Sequence, residues 1–108
     1  MTVRQLIDST PLAAVTLPQP DKEITGVYIG DLLSWVMGRA KADNAWITIM
    51  SNINIVAVAS LADVACIILA EGVELDQSVK DTAEAKGVNI LTADMPAYET
   101  AMMIGSEL

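Results

Sequence analysis

In VACIILAEG, Val64 to Gly72, apolar residues run unbroken from Val64 through Leu69 before Glu71 and Gly72 stop them. A strand with one wet face alternates apolar and polar residues, whereas a strand covered on both faces does not. The run therefore predicts a central strand of a parallel sheet. Toward the C-terminus, Asp76 stands where a helix cap belongs, Val79 and Ala83 share an inward face before Lys86, and Gly87 with Val88 matches a Schellman ending. Val88 to Thr92 is a further strand. Asp94 as a cap, Pro96 in a first turn, and Ala97, Tyr98, Ala101, Met102 and Ile104 as one apolar face predict a last helix.

The same alternation extends toward the N-terminus. Trp46 to Met50 reads as a strand, Ser51 and Asn52 as caps, and Ile53 to Asp63 as a helix whose length and flanks outweigh the β-branched Ile55, Val56 and Val58. Strand and helix thus repeat three times, and right-handed crossovers make these strands parallel. Glu23 to Ile29 is an earlier strand, after which Asp31 is expected to cap a helix carrying Leu32, Leu33, Val36, Met37 and Ala40 inward. Pro11, Pro18 and Pro20 confine Ala13 to Thr16 to a sheet edge. Thr2 and Gln5 have capping-box spacing for a helix over Thr2 to Ser9. With 108 residues there is room for one core. The expected fold class is α/β, a single small domain over residues 1–108 with a largely parallel sheet and flanking helices.

Composition excludes several kinds of chemistry. The chain has no histidine, and its one cysteine, Cys66, lies inside the apolar run, where it is expected to be an inert small hydrophobe. Without histidine the usual triads and the commonest nitrogen metal ligand are missing. No metal site is expected, and the acidic stretch Glu71, Glu74 and Asp76 reads as solvated surface. No Gly-x-x-x-x-Gly-Lys-Ser/Thr loop occurs, so a nucleotide triphosphate site of that kind is not expected. A net charge of −8 opposes nucleic acid and anionic membranes as partners. Hydrophobic residues at 53% exceed what a small monomer readily hides, which points to a homodimer. Trp35, off the strongest inward stripe of its helix, is the expected subunit contact. The N-terminal residues lack the long apolar core of a signal peptide, so a cytoplasmic location is expected.

Parallel strands bring their C-terminal ends to one rim, where loops and helix N-termini can receive a small polar or anionic ligand. The expected rim residues are Gly30, Asp31, Ser51, Asn52, Glu71, Gly72, Thr92 and Asp94. Asp31, Asn52, Asp76 and Asp94 also read as caps of their own helices. Glu71 and Asp94 oppose an anion there, and the sequence offers no evident cation nearby. No catalytic residue is assigned; Asp31 or Asp94 as a general base is the remaining enzymatic reading.

The runs GVYIGDLLSWVM (Gly26 to Met37), NIVAVASLADVACIIL (Asn54 to Leu69) and VKDTAEAKGVNILTADMPAYETA (Val79 to Ala101) resemble the DRTGG domain. That domain is similar to the N-terminal domain of HPr kinase/phosphorylase, and the likeness spans about Thr2 to Ile104. The resemblance implies a non-catalytic regulatory or assembly module, often dimeric, that modulates or scaffolds a partner enzyme, without a cofactor. Stand-alone relatives tend to be labelled HPr-kinase-like or hydrogenase-associated. The alternative is a small-metabolite or nucleotide sensor with its ligand at the strand C-terminal edge. Where the family has its Asp-Arg pair this chain has Ser51 and Asn52 or their neighbours, and of Thr-Gly-Gly only Gly72 matches, with Ala70 and Glu71 before it. These departures remove a cation from the rim and add an anion.

Overall fold

Ten elements follow one another in this computed structural model, which describes residues 1–108. They are α1 (Val3–Ser9), β1 (Ala13–Thr16), β2 (Gly26–Ile29), α2 (Leu33–Arg39), β3 (Asn44–Thr48), α3 (Asn54–Ala62), β4 (Cys66–Leu69), α4 (Gln77–Lys86), β5 (Ile90–Thr92) and α5 (Ala97–Glu107). The strands lie in the order β1-β5-β4-β3-β2, with β2 through β5 mutually parallel and β1 antiparallel to β5. The expected α/β fold class, the central β4 and the edge position of β1 all hold. Strand ends differ because side chains replace the ladder there. β3 stops at Thr48 rather than Met50, since Ile49 N donates to Asp31 Oδ1 and Met50 N to Thr48 Oγ1.

The sheet separates two apolar layers, and the strand period of two assigns alternate residues to each. Trp46, Ile67, Leu69 and Ile90 pack with Val36 of α2, with Ile55, Val56 and Ala59 of α3, and with Val79 and Ala83 of α4. Ala45, Ile47, Cys66, Ile68 and Leu91 pack with Val3 and Leu6 of α1 and Ile104 of α5. Because β2, β3, β4 and β5 are laid down in one direction, right-handed crossovers must put α2, α3 and α4 on the same face. The other face is left to the two terminal helices.

Thr2 and Gln5 form the expected capping box, with Thr2 N donating to Gln5 Oε1 at 2.8 Å and Gln5 N to Thr2 Oγ1 at 3.1 Å. Gly87 is left-handed (φ 74°) and Val88 N donates to Ala83 O at 2.9 Å, completing the Schellman ending of α4. Asp63 ends α3 in the same way, at φ 55°, and its carboxylate pairs with Lys22. Asp31 does not cap α2, whose N-cap is Leu32; Asp94 does not cap α5, whose N-cap is Pro96. Asp76 holds the N-cap position of α4 without a side-chain bond, and Asn52 Oδ1 accepts from Asn54 N just outside the N-cap Ile53.

Two helical faces also depart from expectation. In α2 only Val36 is buried, and Leu32 and Met37 are exposed; in α5 Thr100 and Ile104 are buried, while Tyr98 and Met102 face outward. The apolar residues of α5 form two stripes, and the sheet takes the one that runs with Thr100, whose hydroxyl donates back to Pro96 O. Residues 98 and 102 lie on the other stripe.

Buried Asn89 joins the base of the sheet to the segment that follows β1. Its Nδ2 donates to Gln19 O at 2.7 Å and Ala65 O at 3.0 Å, and its Oδ1 accepts from Gln19 N at 2.9 Å. Replacing it with leucine strips partners from three backbone groups: buried Ala65 O, worth roughly 1–3 kcal/mol if left unpaired, and the part-buried Gln19 N and O, which water can partly satisfy. Asn89→Leu is expected to lose about 2–4 kcal/mol, read from urea midpoints at unchanged m-value.

Candidate functional site at the strand C-terminal rim

The connections that leave β4 and β5 diverge. After β4 the chain turns to α4 on one face of the sheet, and after β5 it turns to α5 on the other. Adjacent parallel strands whose exits part in this way leave a crevice beyond their carboxyl ends. Glu71 and Gly72, consecutive left-handed residues at φ 62° and 67°, bend the first exit back over the second. Glu71 N donates to Met95 O at 3.0 Å and Gly72 N to Ala93 O at 2.9 Å. These two amides are therefore committed to the fold.

Beside this stitch lies a recess of about 350 Å³ whose walls include Val15, Gly72, Glu74, Lys80, Thr92 and Asp94. A register shift between Ala14 and Thr16 brings Val15 to it. Thr16 then takes over the ladder through its hydroxyl, which accepts from Ile90 N at 3.0 Å and donates to Val88 O at 2.8 Å. Lys80 takes part in neither of the molecule's two ion pairs. The recess thus combines one cation with the Thr92 hydroxyl and two carboxylates, beside the side chains of Val15, Val73 and Leu75.

Three of the eight expected rim residues, Gly72, Thr92 and Asp94, meet in this recess. The others do not. Gly30 accommodates a side chain: a Cβ there would meet Tyr28 Cε2 at 2.9 Å, and its carbonyl accepts from Trp46 Nε1 at 2.9 Å. Asp31 Oδ1 accepts from Thr48 Oγ1 at 2.8 Å and Ile49 N at 3.0 Å, so its carboxylate ties the end of β2 to the end of β3. Ser51 and Asn52 are exposed on the approach to α3, and Glu71 is exposed outside the recess wall. Lys80 escaped the sequence reading. Its signal was present, since a lysine in the first turn of a helix opposes the macrodipole and calls for another reason to be there. No three acidic or sulfur ligands converge, and Glu71, Glu74 and Asp76 are all exposed.

A family model described as "DRTGG domain" matches residues 19–106. Among solved structures, the chain is similar to the CBS and DRTGG domains of the regulatory region of Clostridium perfringens pyrophosphatase, complexed with its activator diadenosine tetraphosphate. The TM-score is 0.76 at 13% identity, over 99% of this chain and 47% of that one, so the chain spans about half the length of the structure it matches. No curated protein matches the chain.

Cys66, at the centre of β4, is fully buried, and burial pushes its thiol from the ordinary 9.0 up to about 12. The unfolded chain therefore sheds this proton first. Its contribution to stability is intact below pH 9 and lost as pH rises toward 12. Cys66→Ala is expected to flatten the alkaline loss of stability across that window in urea titrations. The native thiol is expected to resist alkylation at pH 8 until the chain is denatured.

Proposed function

Starting from the fact that the chain belongs to the DRTGG domain family, we propose that it is a non-catalytic regulatory domain that senses a small polar metabolite at the β4/β5 crevice. One observation carries this reading: unpaired Lys80 shares a recess with Gly72, Thr92 and Asp94 at the place where the sheet's exits part. A ligand offering an anionic group to Lys80 and hydrogen-bond donors to Asp94 or Glu74 suits this mixture, whereas a bare phosphate meets two carboxylates. That the similar Clostridium perfringens regulatory region is complexed with a nucleotide activator supports an effector-binding role. The non-catalytic part rests on the lack of histidine, the buried thiol, and the engagement of Asp31 by Thr48 and Ile49.

A separate observation favours self-association as the means of signalling to a partner enzyme. β2 is a sheet edge, and around the ends of β2 and β3 Ile29 is 49% exposed, Leu32 58%, Trp35 53%, Ile49 48% and Ile53 49%. An apolar group of this size beside an open edge suits a second copy. It retains Trp35, whose ring carries the Arg39 guanidinium at 3.8 Å, as the contact residue.

In a thermal-shift screen of nucleotides, phosphorylated metabolites and amino acids, a true effector at 100 times its dissociation constant adds about 2.7 kcal/mol. Lys80→Gln is expected to abolish that stabilisation while leaving the unliganded melting temperature within about 2 °C, since half-buried Lys80 makes no ion pair for the change to break. A screen with no stabilising compound in any class refutes the sensing role. Light scattering is expected to give the mass of two protomers, and Leu32→Asp the mass of one.

A further inference from the structure

At the opposite pole of the sheet, where β2 and β3 begin, a second recess of about 420 Å³ opens over Gly26. Its walls include Thr25, Gly26, Arg39, Lys41 and Asn44, and no carboxylate is among its lining residues. In a chain of net charge −8, Arg39 and Lys41 are the only cations between Lys22 and Lys80, and neither is ion-paired. They flank the recess from the end of α2 and the turn into β3.

The floor is shaped for a donor. Gly26 carries no side chain, and a Cβ built there would lie 3.1 Å from Asn44 Nδ2, so the amide nitrogen stands over the glycine. Its orientation is fixed because Asn44 Oδ1 accepts from Lys41 N at 3.0 Å. The turn that delivers these groups is held by left-handed Asp43 (φ 67°), whose carbonyl accepts from Thr25 N at 3.0 Å and whose own N donates to Asp63 O at 2.9 Å. Two unpaired cations, a fixed amide donor and the Thr25 hydroxyl thus border one concavity in an otherwise acidic molecule. Cations placed together repel unless something negative joins them. A phosphate oxygen set accepts from guanidinium, ammonium and amide alike.

We propose that this recess binds a small multivalent phosphate, with Arg39, Lys41 and Asn44 as its donors. The site is independent of the Lys80 recess, since it lies at the amino ends of the strands rather than their carboxyl ends. Stacking of Arg39 on Trp35 at 3.8 Å links occupancy to that indole, so binding has an optical signature that buried Trp46 does not share.

The test uses the whole chain, titrated with inorganic pyrophosphate and, in parallel, with ADP, followed by amide chemical shifts and tryptophan emission. Shifts are expected at residues 25–28 and 39–44 with a change in Trp35 emission, saturating in the millimolar range or below at moderate salt. Equal affinities identify the phosphate group alone as what is recognised; tighter binding of ADP with a shift of the Trp35 side chain identifies a nucleotide. The double variant Arg39→Gln, Lys41→Gln, both exposed positions, is expected to weaken binding at least tenfold, about the loss of one charge-assisted hydrogen bond. Lys80→Gln is expected to leave it unchanged. No shift at residues 25–44, shifts spread equally over Lys22, Lys80 and Lys86, or binding undiminished in the double variant overturns the proposal.

Discussion

Burial of β4 on both faces is the constraint on which the rest of the structure depends. Cys66, Ile67, Ile68 and Leu69 all lie out of water, so the chain must supply a helical layer on each side of the sheet. The crossovers cannot do this alone. Three right-handed units advancing in one direction put α2, α3 and α4 on one face, and only the terminal helices remain to cover the other. This explains why α1 is secured so firmly at the N-terminus, through its capping box, through Val3 N to Lys22 O at 3.0 Å and through Ile24 N to Met1 O at 2.8 Å. The side chains of the two layers match their coverage. Trp46, Ile67, Leu69 and Ile90 fill the face under three helices, while Ala45, Ala65, Cys66, Ala70 and Ala93 join Ile47, Ile68 and Leu91 under the two helices on the other.

The same constraint creates the crevice. A chain that has placed α4 on one face must take α5 to the opposite one, and the exits of β4 and β5 separate at that point. Neighbouring exits from β3 and β4 run to the same face and leave no such gap. Divergence at the rim is thereby confined to one pair of strands rather than spread along the whole edge. Charge is distributed unevenly too, since Lys80 lies at one pole and Arg39 with Lys41 at the other, in a molecule whose remaining surface is largely acidic.

Much of the candidate site was legible because it follows from strand direction. Gly72, Thr92 and Asp94 stand at or just beyond the ends of parallel strands, a position that local pattern reveals. Gly30 and Asp31 end a strand as well, yet their groups are used within the fold, by Tyr28 packing and by Thr48 and Ile49. Such engagement depends on which strand lies alongside, a relation separated by some 17 residues in the chain and invisible to local pattern. Lys80 and Val15 reached the recess by helix rotation and by a shift in strand register, neither of which hydrophobic periodicity resolves.

From sequence alone came the order and kind of the elements, the parallel sheet with β4 inside, the capping box, the left-handed ending at Gly87 and the inertness expected of Cys66. Each depends on short-range physics: periodicity, backbone sterics, and the desolvation of a thiol in an apolar run. The tertiary structure alone decided which stripe of α5 faces the sheet, that Asp31 bridges strands instead of capping a helix, and where the unpaired cations gather. Those outcomes depend on distances between residues far apart in the chain, and such distances are set only when the two layers close on the sheet together.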